Sequence, residues 1–74
     1  MEVLKINGAE RKFPDGQLPS TVAELLEQLD VKPATVVAEI DGQIIEPKKF
    51  GQTQLHNGQS IELVRFVGGG RLHG

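Results

Sequence analysis

"TVAELLEQLD", residues 21–30, is the stretch on which the fold turns. Val22, Leu25, Leu26 and Leu29 fall at i, i+3, i+4 and i+7, which lines one face of a helix with apolar side chains. Thr21 followed by Glu24 reads as a capping box, in which a hydroxyl and a carboxylate take up backbone N–H groups that the first helical turn leaves unpaired. The run from Asp30 to Ala34, with Pro33 inside it, stops the helix.

Outward from that helix the pattern changes to strands. Upstream, "VLKINGAERKF" (3–13) sets Asn7-Gly8 between two strand-like runs, and Asn-Gly supplies the positive φ angles of a two-residue hairpin loop. In that register Leu4, Ile6, Ala9 and Phe13 share one face, the expected core side, and "PDGQLPS" (14–20) hands the chain to the helix. Downstream, "TVVAEI" (35–40) alternates Val36, Ala38 and Ile40 against Val37 and Glu39, and Asp41-Gly42 turns it into a short return, "QIIE" (43–46). An irregular connection follows, with Phe50 and Leu55 as expected anchors and Asn57-Gly58 as the last turn, before the final strand "SIELVRFV" (60–67). Strand, strand, helix, strand, short strand, loop, strand is an α+β order and a β-grasp pattern: a mixed sheet of four to five strands with one main helix across it. Residues 1–67 form the expected domain and 68–74 a flexible, glycine-rich tail. The triplet Asp/Asn-Gly-Gln at Asp15, Asp41 and Asn57 is read as three turns using the same turn-forming residues, because spacings and surroundings differ too much for a repeat.

Composition narrows the function classes. Seventy-four residues support one modest core, burying roughly 60 to 65% of the unfolded surface. There is no cysteine, which excludes disulfides, thiolate metal sites and a thiol nucleophile. "MEVLKING" lacks the basic start and long apolar run of a secretory signal, and no apolar stretch approaches the roughly 18 residues of a membrane span, so the expected location is the cytoplasm. Eight Lys plus Arg against ten Asp plus Glu, a net charge of −2, argues against nucleic acid as partner.

Enzyme readings find little to stand on. His56 sits in an expected turn and His73 in the tail, neither with an evident partner to orient it. Glu24, Glu27, Glu39, Glu46 and Glu62 are scattered, without metal-ligand spacing, and read as solvated acids; Lys48-Lys49 reads as ordinary surface. "GGGR" lacks the lysine and following helix of a phosphate-binding loop. The last strand says more. If Ile61 and Leu63 face the core, period-two alternation turns Glu62, Val64 and Phe66 away from it. Two readings stand: the strand ends and Phe66 folds back on the sheet, or Val64 and Phe66 form an apolar contact for a partner. Their position beside three consecutive glycines, Gly68, Gly69 and Gly70, favours the second, because a docking protein with a thin reaching arm needs that sequence of parts.

At "SIELVRFVGGG" the chain resembles the ubiquitin-like sulfur carriers of bacteria, most closely the sulfur-carrier family of thiamine biosynthesis, the ThiS family. "VVAEIDGQIIEPKKF" resembles the middle of that family and "LKINGAERKF" its first hairpin, so the likeness runs from Met1 to Gly70. The resemblance implies that the chain is a co-substrate and not an enzyme. An adenylating, E1-like (ThiF-like) enzyme would use ATP and magnesium to convert the terminal glycine carboxylate into an acyl adenylate, and a persulfide sulfur would displace AMP. The resulting thiocarboxylate would donate its sulfur to thiazole synthase (ThiG-like). Gly70 corresponds to the attachment point, preceded by Gly69 and Gly68, and Val64, Phe66, Val67 and Gly68 fall where the family meets its partners. Sulfur held on a main-chain carboxyl needs no cysteine, and a tail threading a narrow cleft tolerates no Cβ.

Arg71, Leu72, His73 and Gly74 lie beyond the family's usual end and leave Gly70 without a free carboxylate. Three explanations compete: a peptidase trims them, they were appended to the natural chain, or Gly74 is itself activated. The first is favoured and the third least, since Leu72 and His73 would carry side chains into a channel shaped for glycine. Other readings stay open at this point: a sulfur carrier for molybdopterin or another thio-metabolite, a β-grasp interaction module without sulfur transfer, or a protein modifier conjugated to lysines.

Overall fold

The computed structural model of the chain describes residues 1–65. Two antiparallel hairpins, one helix and a final strand account for them. β1 (Glu2–Ile6) and β2 (Ala9–Phe13) pair with Ile6 opposite Ala9, which leaves a two-residue loop. Asn7 (φ 51°) and Gly8 (φ 83°) are both left-handed there, the geometry that gives a right-twisted hairpin its tight turn. β3 (Val36–Ile40) and β4 (Gln43–Ile45) repeat the arrangement through Asp41 (φ 50°) and Gly42 (φ 86°). β5 (Ser60–Arg65) then enters between the hairpins, giving the order β2-β1-β5-β3-β4, parallel to β1 and antiparallel to β3. This five-stranded mixed sheet with one crossing helix is the β-grasp fold.

The helix, α1 (Val22–Gln28), is held at both ends. The Glu24 backbone N–H donates to Thr21 Oγ1 (3.2 Å), and Glu24 Oε1 accepts from the backbone N–H of Ser20 (3.0 Å), one residue earlier than a standard capping box would place it. At the far end Asp30 takes the left-handed conformation (φ 57°), its N–H donating to the Glu27 carbonyl (3.2 Å) while the Val31 N–H donates to the Leu26 carbonyl (2.9 Å). That pair of bonds is a Schellman stop, with aspartate where glycine is usual.

Val22, Leu25 and Leu26 carry the helix into the core against Leu4, Phe13, Val36, Ala38, Ile40 and Ile61 of the sheet. Burial in β3 alternates as expected, Val36, Ala38 and Ile40 inward and Val37 and Glu39 half-buried on the other side. Phe50 and Leu55 anchor the long connection, which begins with a 3-10 turn at Pro47–Lys49, and each contributes about 2 kcal/mol by leaving water. Three expected core positions differ. Ala9 lies on the core-side face of β2 but is exposed, because it adjoins the hairpin loop; Ile6, opposite it at the same end of the hairpin, is half-buried, and so is Leu29 as the helix's C-terminal cap. The three Asp/Asn-Gly-Gln turns also differ from one another: both leading residues are left-handed at Asp41-Gly42, but only the glycine is at Asp15-Gly16 and Asn57-Gly58. They are separate turns, as their surroundings suggest. The expected domain boundary after Val67 lies outside the described residues.

Candidate functional site

β5 is the middle strand, and its last described residues remain paired with β3, Arg65 opposite Val36, the first residue of that strand. Alternation holds along it: Ile61 is fully buried and Leu63 packs on the core, whereas Glu62 is exposed and Val64 is 49% exposed. Val64 therefore lies on the face opposite the helix. Phe66, Val67, Gly68, Gly69 and Gly70, the other residues singled out by the sequence, lie outside the described residues.

The register shows what surrounds Val64. It sits directly opposite Val37, and one step along the strands Glu62 sits opposite Glu39, which is in turn opposite Ile44 of β4. Ile44 is 62% exposed, one of the most exposed large apolar side chains among the described residues. Sequence reasoning passed over it. "QIIE" alone does not say which isoleucine faces the core; once Ile45 is turned inward onto it, alternation places Ile44 outside. The open face is thus an apolar strip with two carboxylates opposed across it.

Two asparagines fix where β5 runs. The β1–β5 register is short, Lys5 with Ser60 and Ile6 with Ile61. Asn7 extends it at one end, its Oδ1 accepting from the Leu63 backbone N–H (2.7 Å), and Asn57 at the other, its Oδ1 accepting from the Val3 N–H (2.8 Å). Sequence reading treated both only as turn formers. Each in fact turns its side chain onto the neighbouring strand, so the hairpin turn of β1–β2 holds β5 two residues before Arg65.

Among the described residues little else is arranged for chemistry. His56 is exposed, and the backbone N–H beside its ring donates to Gln59 Oε1 (2.7 Å). Glu24 is a helix cap. Among the described residues no group of three His, Cys, Asp or Glu could hold a metal ion, and no helix is long and apolar enough to cross a membrane. An open depression runs beside β4 between Ile44, Glu46, Lys49 and Thr53, and the chemistry-bearing residues do not converge on it.

A model of the ThiS family matches residues 4–70, nearly the whole chain and ending on the third glycine. The chain belongs to the ThiS family. The crystal structure of the thiamine biosynthesis protein ThiS from Geobacter metallireducens superposes with a TM-score of 0.76 at 32% identity, covering 90% of this chain and 97% of that one. A solution structure of a thiamine biosynthesis protein from the same organism gives a TM-score of 0.68 at 35% identity, covering 100% of this chain and 94% of that one. The sulfur carrier protein ThiS of Bacillus subtilis is 29% identical over 68 residues, 92% of this chain and 100% of that protein. A thiazole synthase of Paramagnetospirillum magneticum is 36% identical over 67 residues, which are 90% of this ThiS-family chain but 20% of that enzyme. The chain therefore spans a fifth of the length of that relative.

Proposed function

We propose that this chain is the sulfur carrier of thiamine biosynthesis and delivers sulfur as a thiocarboxylate on Gly70. The observation that carries the reading is the family match, which runs the length of the β-grasp domain and stops at Gly70. The chemistry uses the main chain alone. Hydrolysis of the Gly70–Arg71 amide by a peptidase frees the Gly70 carboxylate. An E1-like adenylating enzyme, with ATP and magnesium, joins that carboxylate to AMP and releases pyrophosphate. A persulfide attacks the acyl carbon with AMP leaving, and a second thiol reduces the resulting acyl disulfide to the thiocarboxylate. Thiazole synthase consumes the sulfur. Its role as partner is supported by the Paramagnetospirillum enzyme, where a stretch similar to this chain is part of a thiazole synthase polypeptide. The carrier contributes no catalytic side chain; its part is to present a thin carboxyl-terminated arm from a rigid sheet.

Intact mass tests the proposal. A chain ending at Gly70, incubated with an active cognate adenylating enzyme, ATP and a sulfur donor, gains the mass difference between sulfur and oxygen, while the chain ending at Gly74 does not. No gain on the Gly70-ended chain sinks the reading. Gain on the Gly74-ended chain, with no cleavage, moves the attachment point to Gly74.

A further inference from the structure

We infer that Asn7 is a positioning residue for the adenylation of Gly70: its side chain holds the end of β5, from which the chain to Gly70 starts. The inference rests on the sulfur-carrier reading and adds to it a residue, 63 positions away in the chain, that governs how readily the carboxyl is engaged.

The ladder between β1 and β5 shows why a side chain is needed there. It pairs Lys5 with Ser60 and Ile6 with Ile61, and its last backbone bond runs from the Asn7 N–H to the Ile61 carbonyl (2.9 Å). A parallel ladder would continue with the Leu63 N–H donating to the Asn7 carbonyl. Asn7 instead turns into the hairpin loop (φ 51°), and its side-chain Oδ1 accepts that bond at 2.7 Å. Among the described residues nothing else in the first hairpin bonds β5 beyond Ile61. From Leu63 to Arg65 the strand is therefore held by the β3 ladder on one side and by this one side chain on the other.

The turn itself does not require the contact. Asp41 makes the same left-handed turn before Gly42 (φ 50°) in the second hairpin, and among the described residues its side chain bonds no other strand. The bond from Asn7 to a strand 56 positions away is a property separate from closing its loop.

Chain length makes the end of β5 matter. Gly70 lies five residues beyond Arg65, and five residues span at most about 18 Å fully extended. Letting the strand end slip by one residue's rise, about 3.3 Å, consumes roughly a fifth of that reach. Strand ends are where local opening costs least, and one hydrogen bond shifts such an equilibrium by about fivefold. A chain whose strand end is held for a smaller fraction of the time offers its carboxyl for that fraction only, and its apparent affinity for an enzyme acting there falls in proportion.

The test uses chains ending at Gly70 with the cognate adenylating enzyme, ATP and magnesium, and reads ATP–pyrophosphate exchange. Wild type, Asn7→Gly, Asn7→Asp and Asn57→Ala are compared well below their thermal midpoints, so that every chain is folded. Asn7→Gly keeps the left-handed turn but loses the acceptor, and should raise KM for the carrier about threefold with kcat unchanged. Asn7→Asp keeps an acceptor and should restore the wild-type KM. Asn57→Ala controls for stability: it removes the bond to the Val3 N–H (2.8 Å) at the other end of the β1–β5 pairing. It should lower the thermal midpoint as Asn7→Gly does, by about 4 to 8 °C, and leave KM unchanged. An unchanged KM for Asn7→Gly overturns the inference, and so do equal rises for Asn7→Gly and Asn57→Ala, or a loss confined to kcat. A wild-type chain that is not adenylated overturns the carrier reading and the positioning role together. An adenylated wild type whose KM is insensitive to Asn7→Gly overturns only the positioning role.

Discussion

The two faces of β5 share a backbone and differ in almost everything else. Toward the helix, Ile61 is fully buried and Leu63 packs beside it, in a core closed by Leu25, Leu26 and Phe50. Away from it, three residues further along the same strand, Val64 is half-exposed beside Val37 and an opposed pair of glutamates. The first face lowers the energy of the isolated chain. The second leaves apolar area in water and like charges in register, an arrangement that a partner can improve and folding alone does not. Stability therefore rests on the helix side of the sheet, and the opposite side contributes little to it.

Substitutions in the strand break that comparison if it is wrong. Ile61→Ala should lower unfolding free energy by about 3 kcal/mol, because a fully buried isoleucine leaves a cavity the core only partly fills, whereas Val64→Ala should lower it by less than about 1 kcal/mol. Chemical denaturation measures both, and equal losses would mean the two faces are equally structural. Asn7→Gly keeps the left-handed turn but removes the acceptor for the Leu63 N–H, and should cost about 1 kcal/mol. Amide hydrogen exchange should rise at Leu63 ahead of Ile61. Unchanged protection at Leu63 would remove the clamp from the account.

Two further changes should stabilise. Asp30→Gly relieves a left-handed aspartate in the Schellman stop and should raise stability by about 0.5 to 1 kcal/mol, seen as a higher thermal midpoint. Glu62→Gln removes one of the opposed charges and should raise it by a few tenths of a kcal/mol, roughly 0.3, with the gain shrinking in high salt. The last is the smallest effect and the sharpest for the comparison, since removing a polar group from the helix side of the strand would have no such benefit. A loss of stability would place Glu62 in a structural role.

The strand ladder and the helix were open to local reading because their signals are local. Asn7-Gly8 and Asp41-Gly42 turned as their positive φ demands, and the apolar spacing from Val22 to Leu26 became the buried helix face. Where reading fell short, the missing information was non-local. Ala9 was placed on the correct face, but its exposure depends on what stands above it at the sheet's end. Asn57 looked like a turn former because its bond to the Val3 N–H crosses 54 positions in the chain. Ile44 was passed over because a short apolar pair, Ile44-Ile45, does not say which member faces the core until β4 is registered on β3.

The sequence by itself determined the kinds of parts: hairpins at the Asn-Gly and Asp-Gly turns, one amphipathic helix, a final alternating strand, a cysteine-free composition and a run of three glycines. Each follows from side-chain spacing or backbone freedom within a few residues. Only the tertiary structure decided that β5 lies in the middle of the sheet, that asparagines from two distant turns hold it there, and that Val64, Val37, Ile44, Glu39 and Glu62 share one open surface. Those are consequences of strand order and register, which depend on how the whole hydrophobic core closes and are written in no single stretch of the chain.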